Sequence, residues 1–253
     1  MLLHHHPSST CSQKVRLVLH HKGLSFAANV IDLRGGEHLA DAYLALNPNG
    51  VIPTLVVGGK AIWDSTAIVE YLEDVHPEAP LRPDEPIERA RMRAWCCYID
   101  EVPTPATRVP SFHQYFAKNW AGASNAERRR HADRLPVRKE FFLKIGREGF
   151  AVAELDAAVE QLRNCMVRME RALEQTRWVV CDDYTLADVA LTPTFVRMED
   201  LGRASMWADL PSVSDWYARI LALPNFGPTF APPARELGRL APPDTDTLGG
   251  HAS

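Results

Sequence analysis

The sequence predicts an α/β domain with a mixed sheet followed by an all-α helical domain, and three observations support this fold class. Residues 1–75 alternate between short apolar runs, which are typical of strands, and segments with helical spacing, in the order βαβαββα. Residues 77–86 are rich in proline and polar side chains, as in a linker. From residue 87 to residue 230 helical patterns recur and no convincing strand pattern occurs.

The first domain contains four predicted strands and three predicted helices. The strands are predicted at residues 2–6, 27–33, 54–57 and 61–63, and the helices at 15–22, 39–46 and 65–75. Pro7 ends the first strand, and Gly23 suits the position that follows a helix. Gly58 and Gly59 separate the last two strands, which indicates a β-hairpin.

The second domain is predicted to be entirely helical, with helices at residues 89–101, 127–134, 153–175, 186–199 and 212–223. Pro103, Pro105 and Pro110 interrupt or end the first of these, because proline lacks the amide hydrogen that a helix interior needs. Thr185 and Asp188 form a capping box before the fourth. The domains are therefore expected at residues 1–80 and 87–231, with a linker at 81–86 and a disordered tail at 232–253.

The composition excludes several classes of function. A formal net charge of −4 over 253 residues gives no basic footprint for nucleic acid. No apolar run approaches the roughly 20 residues of a membrane span, and the N-terminus lacks the regions of a signal peptide. The five cysteines are odd in number and widely spaced, which favours reduced thiols over a disulfide framework. We therefore expect a cytoplasmic protein that binds neither nucleic acid nor a membrane.

Four local sequences resemble those of the cytosolic glutathione S-transferase family, in the same order and at similar separations. They are SSTCSQKVR at residues 8–16, NPNGVIPTL at 47–55, DSTAI at 64–68 and TLAD at 185–188. The resemblance covers about residues 1–230. It implies a thioredoxin-like fold for the first domain, glutathione as co-substrate, a helical domain that receives a hydrophobic electrophile, and a homodimer.

Ile52 and Pro53 lie where this family binds the cysteinyl part of glutathione. A proline at the start of a strand lacks the amide hydrogen for the sheet ladder. The resemblance implies a cis bond between Ile52 and Pro53, which turns the preceding backbone of Val51 and Ile52 toward the ligand. The backbone of Ile52 would then pair with the tripeptide as an added antiparallel strand.

Asp64 and Ser65 open a predicted helix, and a helix N-terminus with free amides is a natural site for a carboxylate. The resemblance implies that the hydroxyl and amide of Ser65 bind the γ-glutamyl carboxylate, while Asp64 faces the ammonium group. Many members carry Gln or Glu in place of Asp64. His38 resembles the residue that holds the glycyl carboxylate in theta-like members.

Three side chains between the first strand and the first helix are candidates for contacting the glutathione sulfur. The thiolate is the nucleophile, and a hydroxyl donor together with the positive end of a helix dipole favours the anion. Ser9 matches the serine of the zeta-like branch, whose pattern is close to Ser-x-Cys-x-x-x-Val-Arg. Cys11 matches the cysteine of bacterial members that form mixed disulfides, and Ser12 is the third candidate because the alignment at the first helical turn can slip.

Further segments resemble bacterial β-etherases of lignin breakdown: EYLEDV at residues 70–75, LRP at 81–83 and RARMRAW at 89–95. In those enzymes the glutathione thiolate displaces an aryloxide at the carbon α to a ketone, which gives a thioether and a phenol. The resemblance implies an aromatic substrate pocket, although aromatic residues at helical spacing are equally typical of a core. The candidates are Trp95, Tyr98, Phe112, Tyr115, Phe116 and Trp120.

Three alternatives to a β-etherase remain open at this stage. The chain is a generic detoxifying glutathione transferase, a thiol-transferase that uses Cys11, or a non-catalytic binding module with a glutathione fold. They differ in whether aryl ethers are cleaved, whether Cys11 is needed and whether glutathione reacts at all. No metal is expected, because the His4-His5-His6 run has no acidic or thiol partner nearby.

Overall fold

The computed structural model describes residues 1–116, 122–145 and 149–236. Its first half contains a four-stranded sheet in the order β2-β1-β3-β4. The strands are β1 Leu2–His5, β2 Ala27–Val30, β3 Thr54–Val57 and β4 Lys60–Trp63. β2 pairs with β1 in parallel, while β3 pairs antiparallel with both β1 and β4. The prediction of a mixed sheet is confirmed.

The helices of the first half are α1 Thr10–His21, α2 Asp41–Leu44 and α3 Ser65–Val75, with a 3₁₀ turn at Glu37–Leu39. The second strand ends at Val30, sooner than predicted, because the chain turns at Asp32. The Asp32 carboxylate accepts from the amide of Gly35 at 2.8 Å, and the Asp32 amide donates to the Glu37 carboxylate at 2.8 Å. This turn places the loop that carries His38 beside the end of the sheet.

The second half is helical, as predicted. Its helices are α4 Pro86–Glu101, α5 Pro103–Ser111, α6 Asn125–Asp133, α7 Lys139–Lys144, α8 Val152–Leu173, α9 Leu186–Asp200, α10 Pro211–Leu221 and α11 Phe226–Phe230. A short π-helical turn, Phe112–Phe116, continues α5. The sequence patterns gave no indication of α5 and α7, and both of them border the cavity described below.

The three prolines that were expected to end a helix lie within α5. Pro103 takes the first helical position, where no amide hydrogen bond is required, so it begins α5 instead of preventing it. Pro110 falls in the last turn, where its missing amide costs one hydrogen bond. The hydroxyl of Thr107 donates to the Pro103 carbonyl at 2.8 Å, and the hydroxyl of Ser111 donates to the Thr107 carbonyl at 2.6 Å.

The two halves meet where α1 packs against α9 and α11. Lys14 of α1 donates to the Asp100 carboxylate of α4 at 3.0 Å. The side-chain amide of Gln13 donates to the Ala234 carbonyl at 2.9 Å, and Ala234 is buried. Ala234, which was assigned to a disordered tail, is therefore held against α1, and Arg235 pairs with Glu199 and Asp200 of α9; residues 237–253 of that predicted tail lie outside the described residues.

The described residues also bear on membrane and metal partners. None of the helices in these ranges is both long and apolar enough to cross a membrane. Within the same ranges, no group of three or more His, Cys, Asp and Glu side chains is arranged to hold a metal ion.

Candidate active site

A cavity of about 320 Å³ opens between the sheet and the helical half. The first half lines it with Ser8, Ser9, Thr10, Cys11, Leu33, Arg34, His38, Gly50, Val51 and Ile52. The second half lines it with Thr107, Arg108, Ser111, Phe112, His131, Leu135, Arg138, Phe142 and Arg197. Its size is at the lower end of the range for small-molecule sites.

Ser9 lies at the N-cap of α1 and faces this cavity. Its backbone is extended, and its hydroxyl oxygen accepts from the amide of Ser12 at 3.3 Å. That bond occupies one lone pair of the oxygen, so the hydroxyl hydrogen remains able to donate. Ser9 thus combines a hydrogen-bond donor with the positive end of a helix dipole at one point of the cavity.

The two other candidates for the sulfur contact differ in position. Cys11 is half-buried and lines the cavity beside Ser9. Ser12 is fully buried, does not line the cavity, and its hydroxyl oxygen accepts from the amide of His6 at 3.4 Å. The candidacy of Ser12 is therefore corrected: one helical step turns its side chain into the protein, where it ties α1 to the end of β1.

The Ile52–Pro53 peptide bond is cis, as the resemblance implies. Val51 and Ile52 line the cavity, whereas Pro53 does not. The Val51 carbonyl accepts from the hydroxyl of Tyr43 at 2.8 Å and from the side-chain amide of Asn47 at 2.7 Å, which fixes this turn. Within the described part of the chain, the amide and carbonyl of Ile52 form no hydrogen bond, so an extended ligand could pair with them.

Asp64 and Ser65 stand at the N-terminus of α3, outside the cavity lining. One Asp64 carboxylate oxygen accepts from the amides of Thr66 at 2.8 Å and Ala67 at 3.1 Å. Asp64 has a φ of 72°, a conformation that is uncommon for residues other than glycine. The amide and hydroxyl of Ser65 form no hydrogen bond with the other described residues, and they remain available to a carboxylate.

His38 is buried in the cavity wall, and its Nδ1 atom has no hydrogen-bond partner among the described residues. Burial lowers the pKa of His38 to about 4, and the positive charges of Arg138 and Arg134 act in the same direction. The imidazole is therefore neutral at physiological pH. It can meet a glycyl carboxylate by donating one N–H, but not as a cation.

The predicted aromatic pocket is only partly what the structure shows. Phe112 lines the cavity, and Phe142, which was not predicted, lines it as well. Trp95 and Tyr98 do not line the cavity but belong to the core. The Cζ atom of Arg168 lies 4.5 Å from the ring centroid of Trp95 and 4.2 Å from that of Tyr98.

The remaining three aromatic candidates lie elsewhere. Tyr115 also packs on the core instead of the cavity. The side chain of Phe116 and the whole of Trp120 fall outside the described residues. Helical spacing identified an apolar face correctly for Trp95 and Tyr98, but that face is directed at α8.

Sequence reasoning missed the arginines of the cavity. Arg197 is buried on α9 and donates to the Ser111 hydroxyl at 3.2 Å and to the Ser8 carbonyl. Burial lowers the pKa of Arg197 to about 10, so it stays charged at neutral pH. An arginine inside the otherwise apolar stretch of α9 was the available signal, because a buried charge requires partners. Arg108 lies in α5 and Arg138 immediately precedes α7, and no element was predicted at either place.

Comparison with known proteins assigns the chain to a family. Residues 8–75 match the N-terminal domain of glutathione S-transferases, and residues 152–219 match the C-terminal domain. Protein LigF of Sphingobium sp. strain SYK-6 is 29% identical over 236 residues, which cover 89% of this chain and 91% of LigF. The crystal structure of β-etherase LigF superimposes with a TM-score of 0.80, at 28% identity, over 90% of this chain and 98% of LigF.

A second relative carries a different name. The maleylacetoacetate isomerase of Pseudomonas aeruginosa is 32% identical over 219 residues, which cover 85% of this chain and 90% of the isomerase. Both relatives extend across the sheet half and the helical half, so the match is not confined to a single motif. The chain therefore belongs to the glutathione S-transferase family.

Proposed function

We propose that this chain catalyses attack of the thiolate of glutathione, the co-substrate of its family, on an aromatic electrophile, and that it cleaves lignin-derived β-aryl ethers. One observation carries the proposal. Ser9, Ile52 and Phe112 border the same cavity. They supply a donor for the thiolate, a strand edge for the tripeptide and an apolar wall for an aryl ring. The similarity to the β-etherase LigF supports the choice of an aryl ether.

The tripeptide would lie along the end of the sheet. Its cysteinyl part pairs with the free amide and carbonyl of Ile52. Its γ-glutamyl carboxylate accepts from the amide and hydroxyl of Ser65, and the exposed carboxylate of Asp64 faces the ammonium group. The glycyl carboxylate accepts one hydrogen bond from His38. This arrangement brings the sulfur to Ser9 at the start of α1.

The chemistry is a displacement at carbon. Ser9 donates a hydrogen bond to the thiolate, which attacks the carbon α to the ketone of the substrate. A carbon–sulfur bond forms, the carbon–oxygen bond breaks with its electron pair, and the aryloxide takes up a proton to become a phenol. A single hydrogen bond that lowers the thiol pKa by about one unit contributes about 1.4 kcal/mol. Alignment of the sulfur with the carbon must therefore supply most of the acceleration.

The test uses an α-keto β-aryl ether with a fluorogenic phenol, with and without glutathione. We expect phenol release only when glutathione is present. Ser9→Ala should raise the pKa of bound glutathione by about one unit and lower kcat about tenfold at neutral pH. The pKa is followed by the ultraviolet absorbance of the thiolate. Conjugation of a generic aryl halide without any phenol release would contradict the etherase and leave a generic transferase.

A thiol-transferase using Cys11 is the second candidate, because this thiol lines the cavity close to the charges of Arg138 and Arg197. In that reaction the Cys11 thiolate attacks one sulfur of a glutathione mixed disulfide and releases the other as a thiolate. The Cys11→Ala variant separates the two candidates. Full phenol release by this variant, with no glutathione adduct on the parent protein by mass spectrometry, excludes thiol transfer at Cys11.

We also propose that the protein is a cytoplasmic homodimer, as the resemblance implies. The five cysteines, all within the described residues, are free thiols, which suits a reducing compartment. Light scattering that gives the mass of one chain would contradict the dimer. Recovery of the protein outside the cytoplasm after cell fractionation would contradict the location.

A further inference from the structure

The cavity has a charge that an uncharged aryl ether would not use. Among the residues that the structure describes, its lining includes four arginines and no aspartate or glutamate; the arginines are Arg34, Arg108, Arg138 and Arg197. Uncompensated positive charge in a partly closed cavity raises the local concentration of anions. An arginine of this lining can bind such an anion only if its guanidinium is not already held by other groups of the protein.

Arg197 is already engaged, because the Ser8 carbonyl and the Ser111 hydroxyl accept from its guanidinium. Arg108 and Arg138 are different: within the described ranges, neither side chain has a hydrogen-bond acceptor or an ion-pair partner. Both are half-buried. Burial and the charge of Arg108 lower the pKa of Arg138 to about 10, so Arg138 remains positive at neutral pH and lies close enough to Arg108 for the two charges to repel.

Each of these two arginines lies one helical turn before a phenylalanine that lines the same cavity. The amide of Phe112 donates to the Arg108 carbonyl, and the amide of Phe142 donates to the Arg138 carbonyl at 3.1 Å. In both cases the arginine and the phenylalanine are thus one helical turn apart along the backbone, and residues at this spacing start from the same side of a helix. A ligand that contacts both the phenylalanines and the arginines favourably has an apolar ring and a carboxylate, since guanidinium groups match carboxylates in shape and charge.

We propose that Arg108 and Arg138 bind a carboxylate of the electrophile, so that the second substrate of this transferase is an aromatic acid. The inference rests on the proposed function and specifies its substrate class. Glutathione has carboxylates of its own, but Ser65 and His38 of the sheet half are assigned to those. Arg108 and Arg138 come from the helical half, together with the two phenylalanines of the cavity.

The experiment compares an aryl halide acid, chloronitrobenzoate, with its methyl ester in the wild-type protein. The glutathione thiolate replaces chloride in both, and each kcat/KM is divided by the uncatalysed rate constant to remove the difference in intrinsic reactivity. We expect the acid to be preferred about ten- to a hundredfold, as for a charge-assisted hydrogen-bonded pair. Arg108→Gln and Arg138→Gln should each remove most of this preference, measured as the ratio of normalised kcat/KM for acid to that for ester within the same variant.

Arg171→Gln, an exposed position on α8 that does not line the cavity, is the control for the loss of one charge and should keep the preference. The comparison of acid and ester in the wild-type protein needs no variant, so it tests the anion site even where a variant does not fold. Equal normalised rates for acid and ester in the wild type would overturn it. So would a preference that both variants retain, or a loss that falls on KM for glutathione instead.

A binding measurement separates this inference from the proposed function. Nitrobenzoate and its methyl ester, which have no leaving group, are titrated by calorimetry into protein saturated with S-methylglutathione. Tighter binding of the acid, abolished in Arg108→Gln, supports the anion site even if neither halide reacts. If the chloronitrobenzoate acid and ester have equal normalised kcat/KM, and nitrobenzoate and its methyl ester bind with equal affinity, the transferase activity stands and the anion site is contradicted.

Discussion

Replacement of Asp188 by alanine is expected to lower the free energy of unfolding by about 4 kcal/mol or more, because it leaves several buried donors without an acceptor. One Asp188 oxygen accepts from the amide and the hydroxyl of Thr185, each at 3.0 Å. The other accepts from the amide of Val179 at 3.1 Å and from the indole of Trp216 at 2.9 Å. Asp188 is fully buried, so water cannot replace these bonds. Urea unfolding followed by fluorescence measures the loss.

Asp182→Ala is the matched control for this prediction. Asp182 is exposed, and its carboxylate accepts from one backbone amide, that of Arg177, at 2.9 Å. We expect this variant to lose about 1 kcal/mol or less, since solvent can take over the single bond. A loss for Asp188→Ala no larger than that of Asp182→Ala would show that the four bonds do not act together.

Asp188 also illustrates which parts of the structure the sequence can predict. A capping box joins residues three apart, so Thr185 and Asp188 identify it without knowledge of the fold. The Ile52–Pro53 turn, the N-terminus of α3 and the Gly58-Gly59 hairpin have the same local character. What these motifs do not reveal is that Trp216, far along the chain, completes the environment of Asp188.

The helical wall of the cavity was not predictable in this way. Trp95 and Tyr98 share a helical face, but the sequence does not say whether that face meets α8 or the cavity. Phe142 belongs to a short helix with no start signal, which Arg138 immediately precedes, and Arg108 belongs to a helix whose prolines suggested that none existed. The positions of these side chains depend on contacts between elements distant in sequence, which periodicity does not encode.

Arg197→Met is expected to have the second large effect, on stability and on catalysis together. The variant leaves the Ser8 carbonyl and the Ser111 hydroxyl without their donor in a buried environment, which costs about 2–4 kcal/mol. Ser8 directly precedes Ser9, so loss of this anchor from α9 should displace the hydroxyl that donates to the thiolate. We expect kcat for an uncharged aryl halide to fall about tenfold or more, and the pKa of bound glutathione to rise by about one unit.

The combination of readouts distinguishes positioning by Arg197 from a merely structural role. A variant that is only less stable would, below its unfolding temperature, bind glutathione with an unchanged thiol pKa, and that result would contradict the prediction. Arg197→Lys is the informative comparison, because lysine keeps the charge but cannot donate to Ser8 and Ser111 with the fork of a guanidinium. If kcat of Arg197→Lys lies between those of Arg197→Met and the wild type, the part recovered is due to the charge and the part still missing is due to the geometry of the guanidinium. Because Arg197 acts through Ser9, its loss should slow acid and ester electrophiles alike, whereas loss of Arg108 or Arg138 should slow the acid alone.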